Sequence, residues 1–373
     1  MNNVEELKQF AVSHARAQRV PEERTGAVLT RITHDGEGPG SWTAEWSAAA
    51  AESERQGRLQ EACSLYYIAR FPFVDGPGRA AALTRSQEAF AQWVRESGAA
   101  LQPLDLELPE GRVQCYTNGL PIHGNRPCVI LMGGIVSTKE QYAPILLRLA
   151  KLGLSGIATE MPGTGSNTVP YGPDSWRMLS GIIDAVEDRL GGSRVYAMAL
   201  SFSGHMALRC ALEDPRISGV VTMSTPVSCF YSDPDWQRAL PAVTVDTLAH
   251  MAGTPSGKVG HHMRDWGLTE HQLQALEAPV AYVSSRRDEI IPVADTDLLR
   301  QNVRRLTVLD IDDVHAAPAF LDMSGPWLTL SLLRMHGGSL PQRAALRSVI
   351  SLAGLRHRLA GHGDVSVHRN TGN

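Results

Sequence analysis

The pattern of apolar and polar positions changes character once along the chain. Over roughly the first 105 residues apolar positions recur at helical spacing, and helices are predicted over residues 5–16, 43–56, 59–69 and 79–97. The second of these is rich in Ala and Glu and stops at Gly57. Pro72, Gly76, Pro77 and Gly78 punctuate the gap before the last. No strand-like alternation is read in this part, and residues 98–109 read as a linker. From Arg112 onward the pattern is different. Residues 112–117 alternate like a strand, and 127–132, 155–159, 194–199, 219–223, 280–284 and 306–311 are short apolar or β-branched runs. Helical stretches at 138–152, 175–190, 202–212 and 293–303 separate most of them. Strand and helix alternating at this spacing predict an α/β fold, a mostly parallel sheet covered by helices on both faces.

The predicted organisation is a helical N-terminal domain over 1–105 and a core over 106–225 and 278–336. An insertion over 226–277 breaks the rhythm and reads as a cap over the site. Residues 337–373 form a basic tail. In it Arg343, Arg347, Arg356 and Arg358 space a weakly amphipathic helix, and the last dozen polar residues are expected to be disordered.

Composition narrows the function classes. Of 373 residues 43% are hydrophobic and 20% charged, and 35 basic against 39 acidic residues leave a net charge of −4. Nothing there drives the chain toward nucleic acid or an anionic membrane. The longest uncharged apolar stretch, 127–136, is too short to span a bilayer, and the acidic, helical start is no signal segment. Five cysteines, at 63, 115, 128, 210 and 229, are odd in number and lack metal-ligand spacing. Reduced thiols in a cytoplasm fit them, and the expected partner is a small-molecule substrate.

The strongest chemical signal is the run from Val195 to His205. An apolar strand enters Ala199-Leu200-Ser201-Phe202-Ser203 and then a helix, small-x-Ser-x-small. A turn that tight needs small residues two before and two after the nucleophile. Ser201 is therefore the candidate. Ser203 is the weaker one, since it would put His205 at a position where only a small side chain fits. The amide of Phe202 would donate to an oxyanion at the helix start. After the strand ending at Met132 comes Gly133-Gly134-Ile135-Val136-Ser137-Thr138, whose loop would give a second amide donor, Gly134 or its neighbour Ile135. A glycine turn with capping residues is the plainer reading of that loop. Glu160-Met161-Pro162-Gly163-Thr164-Gly165-Ser166 reads as a turn shaping the pocket wall, because it lacks the order of a phosphate-binding loop. Asp288, with Glu289 as competitor, follows the strand at 280–284 and can orient a histidine. His315 follows the last core strand, so that the order is Ser201, Asp288, His315. The histidine would take the serine proton and the aspartate would hold its tautomer, chemistry that needs no metal or organic cofactor.

With these residues in hand, the chain resembles the FrsA-like branch of α/β-hydrolases. The resemblance rests on Gly133-Gly134-Ile135-Val136-Ser137-Thr138-Lys139-Glu140, the Pro-Gly-x-Gly-x-Ser loop, the elbow Ser201-Phe202-Ser203-Gly204, and Tyr66-Tyr67…Arg70-Phe71-Pro72 in the helical domain. It covers roughly residues 40–336. Ala199, Ser203 and Glu160 depart from the branch's usual Gly, Gly and Asp. The resemblance implies an α/β-hydrolase fold with an N-terminal helical domain and an inserted lid. It implies an ester or β-diketone C–C bond hydrolase on a polyketide-like metabolite. The branch includes the fungal pigment heptaketide-shortening enzyme and the dihydroxypseudooxynicotine hydrolase. The chain is also similar to tetronate-pathway enzymes that remove acetate to leave an exocyclic double bond, so an eliminating lyase is the alternative. A relative that binds a ligand or partner without catalysis is a third reading. Ile135, Tyr231 and Trp236 are the candidate substrate contacts, with His261 and His262 further lid candidates; lid packing or a solvated loop is the plainer reading of Tyr231, Trp236, His261 and His262. A homodimer is compatible with the family.

Overall fold

The apolar runs read as strands form one mixed sheet in the computed structural model, which describes residues 2–120, 126–361, 363 and 365–370. The strands are β1 (Gln102–Leu108), β2 (Gly111–Thr117), β3 (Cys128–Met132), β4 (Ser155–Thr159), β5 (Val195–Ala199), β6 (Ile217–Met223), β7 (Val280–Ser285), β8 (Leu306–Ile311) and β9 (Val365–Arg369). Their order is β1-β2-β4-β3-β5-β6-β7-β8-β9. From β4 to β8 all neighbours are parallel, while β1, β2 and β9 are antiparallel to theirs. This is the α/β-hydrolase arrangement. β3, β4 and β5 are buried at every position, which is why they read as continuous apolar runs.

Alternation along each strand splits the core in two. Cys128, Ile130 and Met132 face one apolar cluster, shared with helices Arg177–Ala185, Phe202–Glu213 and Val293–Asn302 and with much of the cap. Val129 and Leu131 face the other, shared with helices Lys139–Lys151 and Leu321–His336 and with the N-terminal domain. That domain is five helices, Val4–Ala17, Glu22–Leu29, Trp42–Arg55, Leu59–Arg70 and Pro77–Ser97. Trp42 and Trp46 fill its centre, and the Trp42 indole donates to Ile68 O at 2.9 Å.

β3 pairs with β4 on one side and β5 on the other, so the chain reverses its direction of travel across the sheet there. The loops after β3 and β5 diverge and open a crevice at the carboxyl ends of the strands. Those two loops carry Gly134 and Ser201.

The elbow helix lies close on the sheet because Gly204 has no side chain. A Cβ there would overlap the hydroxyls of Thr222 and Thr225. Gly204→Ala is expected to destabilise the protein by about 1–3 kcal/mol, read as a lower melting temperature.

Four expectations are corrected. The segment read as a linker contains β1, where Leu104, Leu106 and Leu108 alternate with acidic residues and pair with β2. The sequence pattern predicts no helix at Glu22–Leu29, where the chain forms one. The helix expected over 175–190 is two, Arg177–Ala185 and Glu187–Leu190, broken at Val186. The tail forms helix Leu340–Leu359, as its arginine spacing predicts. Of the dozen residues expected to be disordered, Val365–Arg369 pair with β8 instead, braced by Arg286 on Ser366 at 2.9 Å. The rest of that expectation, at 362, 364 and 371–373, lies outside the described residues. The insertion is a set of short helices between β6 and β7.

Candidate active site

Ser201 sits between the last residue of β5 and the helix it caps, at φ 58° and ψ −131°. A side chain rarely adopts this backbone, and the strain raises the serine above the sheet. The small neighbours allow the turn. Ser203 is fully buried and spends its hydroxyl on Met132 O at 3.2 Å and Leu200 O at 2.9 Å. It anchors the turn, and Ser201 is the serine that faces the histidine.

Ser201 Oγ lies 3.0 Å from His315 Nε2. Nδ1 of the same ring is 2.9 Å from Asp288 Oδ1 and 3.0 Å from Oδ2. Asp288 is aimed by its own loop, since Oδ1 accepts the amides of Ile290 at 3.0 Å and Ile291 at 2.8 Å. Glu289, the competitor, accepts the main-chain amide of His315 at 3.0 Å, so one carboxylate holds the ring and its neighbour holds the backbone. The loop beyond is tied at Ala316, whose amide donates to Ser224 Oγ at 3.1 Å.

The β3 loop closes over the serine. A Cβ on Gly134 would stand 3.0 Å from Ser201 Cβ, so only glycine lets the loop come this near. Phe202 opens its helix, and its amide has no partner within it. The Gly134–Ile135 segment and the start of the helix at Phe202 thus both lie beside Ser201. Ile135 is buried, and its carbonyl accepts the Thr164 hydroxyl at 3.2 Å. Glu160 sits at the base of the same loop, where it accepts the amides of Lys139 at 3.1 Å and Ser166 at 2.6 Å. Burial pushes its carboxyl up despite the Lys139 charge.

Trp236 and Tyr231 both make packing contacts within the protein, and Tyr231 lines a cavity in the cap. The Trp236 indole donates to Ile290 O at 2.8 Å and braces the loop of Asp288. The Tyr231 ring packs 4.9 Å from His205, on the elbow helix, rather than against the triad. His261 lines a cavity of about 350 Å³ within the cap, and His262 packs edge-on to Trp266. Sequence reasoning missed a set from the N-terminal domain. Arg70 donates to Val136 O, in the β3 loop, at 2.7 Å, and His14 lies within reach of the His315 charge. Neither stands in a motif that names a role. Among the described residues no cluster of His, Cys, Asp or Glu could hold a metal ion, and no helix is long and apolar enough to cross a membrane.

Burial disfavours the His315 imidazolium, but the Asp288 carboxylate, its hydrogen bond and the Glu289 charge outweigh that, so the pKa is raised above 6.5. A base must be neutral. Turnover is therefore expected to fall as pH drops through a value above 6.5, and Asp288→Asn to move that limb to lower pH. The pH profile of kcat/KM checks both.

A family model described as "Esterase FrsA-like" matches residues 16–301. Esterase FrsA of Citrobacter koseri is 27% identical over 232 residues, 57% of this chain and 56% of that protein. Esterase FrsA of Salmonella paratyphi B is 26% identical over the same shares. The chain thus spans just over half the length of these relatives. Among solved structures, AbyA5 is 45% identical, with a TM-score of 0.91 over 94% of this chain and 99% of that one. The 2,6-dihydroxy-pseudo-oxynicotine hydrolase shares the fold at 16% identity, with a TM-score of 0.66 over 97% and 98% of the two chains. The chain accordingly belongs to the FrsA-like esterase family.

Proposed function

We propose that this enzyme releases a carboxylic acid from an acylated, polyketide-like metabolite, and that it does so by elimination from a tetronate-type ring. The observation that carries the reading is the enclosure of the Ser201–His315 pair: Ser201 is 9% exposed and the His315 side chain 15%. An enclosed base beside oxyanion donors favours a reaction that consumes no water. The likeness to AbyA5, at 45% identity over nearly the whole chain, supports an alternative to simple ester hydrolysis. The tetronate-pathway enzymes that the sequence resembles supply that alternative.

In the proposed step His315 Nε2, held by Asp288, takes the proton from the ring carbon that bears the acyloxymethyl group. That electron pair becomes the exocyclic C=C bond. The bond between the exocyclic methylene carbon and the ester oxygen breaks, and acetate leaves with that electron pair. The amides of Phe202 and Gly134 hold the departing carboxylate. The proton on His315 then leaves with the product.

A second reading, ester or C–C bond hydrolysis, has its own support in the Ser201–His315–Asp288 geometry, which suits nucleophilic attack. An acylated tetronate turned over in heavy-oxygen water separates the two. Unlabelled acetate with an alkene supports elimination. Label in the acid, with an alcohol or a shortened chain, overturns it in favour of hydrolysis.

A further inference from the structure

Helix Val4–Ala17 packs against helix Leu59–Arg70, cap helix Ala242–Met251 and the turn Pro318–Phe320 that follows His315. Leu7 and Ala11 bury its inner side. Phe10, which packs against both halves of the core, and His14, one turn later, are half-buried. The His14 ring sits 4.9 Å from Phe71, and its Nδ1 is 3.4 Å from the Tyr67 hydroxyl. The Gln141 side chain hydrogen-bonds to Tyr67 in turn. With Gln141 donating to the phenol oxygen, the Tyr67 hydroxyl donates to Nδ1, and the imidazole proton sits on Nε2. Among the described residues His14 Nε2 has no hydrogen-bonding partner.

Beside it lies a buried cation. Arg70 is 2% exposed, stacks 4.9 Å from the Tyr67 ring centroid and hydrogen-bonds to the carbonyls of Pro72 and Val136. Its Nε is buried without a partner.

We infer that His14, Tyr67 and Arg70 form a subsite that receives an anionic oxygen of the substrate, the enolate oxygen of an acidic 1,3-dicarbonyl ring. The inference rests on the tetronate reading above. The local field agrees with it. Burial, then Arg70, then His315 hold His14 down to about 4, so it is a neutral donor at working pH. The charges that oppose its protonation are positive, and a positive field in an enclosed space favours an anion. An oxygen bound there would fix the ring while its acyloxymethyl arm reaches the triad. His14 precedes the residues that the family model matches, and Tyr67 and Arg70 lie within them.

The test is calorimetric binding of 3-acetyltetronic acid, which has no acyl group to lose, and of its neutral O-methyl ether, at pH 7. The wild type is expected to prefer the anion. His14→Phe, which keeps ring bulk and loses the donor, should lower that preference by roughly 10–100-fold. His14→Gln, which keeps an N–H, should retain most of it, and Tyr67→Phe should fall between. A circular dichroism spectrum and a melting temperature like those of the wild type check that each variant is folded. Wild-type preference in His14→Phe overturns the subsite, as does a wild type that does not favour the anion. Failure of the functional reading looks different: the wild type binds the acid but makes no alkene from the acylated ring.

Discussion

His315→Ala is expected to lower turnover by about 10⁴-fold or more with no change in fold. Of the site residues only His315 is joined to both partners, Ser201 through Nε2 at 3.0 Å and Asp288 through Nδ1 at 2.9 Å. Elimination needs it as the base that takes the ring proton. Hydrolysis needs it to take the serine proton and return it to the leaving group. No neighbour substitutes for it, because Glu289 is turned to the main-chain amide and burial and cationic neighbours lower the His14 pKa to about 4, which makes it a weak base. The melting temperature should stay near that of the wild type, because the Asp288 carboxylate keeps the amides of Ile290 and Ile291 as partners. Single-turnover kinetics with the acylated substrate, beside a melting curve, is the measurement. Turnover near the wild-type rate in a folded His315→Ala would reject the site assignment.

Arg79→Ala is expected to cost about 3–5 kcal/mol of stability. The Arg79 and Asp35 side chains are 5% and 2% exposed and meet at 2.5 Å. Arg79 also donates to Phe71 O at 3.0 Å, and Asp35 accepts the Asn2 amide and side chain at 2.8 Å. Removing the guanidinium leaves a carboxylate buried without its counter-charge, and desolvation then works against the fold. The melting temperature should fall by roughly 2–4 °C per kcal/mol. Arg79→Met combined with Asp35→Leu should recover much of the loss, since it removes both charges at once. Phe71 packs against His14, so the single variant should also raise KM through a loosened N-terminal domain. A single variant as stable as wild type would mean that water reaches the pair.

The sheet from β2 to β8 was legible because its signals are local. Each strand is a short apolar run bounded by turn residues, and burial on both faces is what makes such a run continuous. The elbow was legible for a steric reason, since the backbone at Ser201 tolerates only small neighbours. β1 alternates Leu104, Leu106 and Leu108 with Asp105 and Glu107, but Pro103 and the flanking Gly and Pro made it look like a linker. β9 is five exposed residues that become a strand only because the β8 edge offers unpaired amides and carbonyls.

By itself, then, the sequence determined the α/β core, the serine at its elbow, the glycine loop beside it and the order Ser201, Asp288, His315. These follow from periodicity, turn sterics and chain order, which act over a few residues. Tertiary structure decided the rest. It put Asp288 rather than Glu289 on the ring and turned Trp236 into a brace for the acid loop. It brought His14 within reach of the charge of a histidine some three hundred residues away in the chain. Those outcomes depend on how separate elements pack, and no local pattern encodes the distance between residues that meet only when the whole chain has folded.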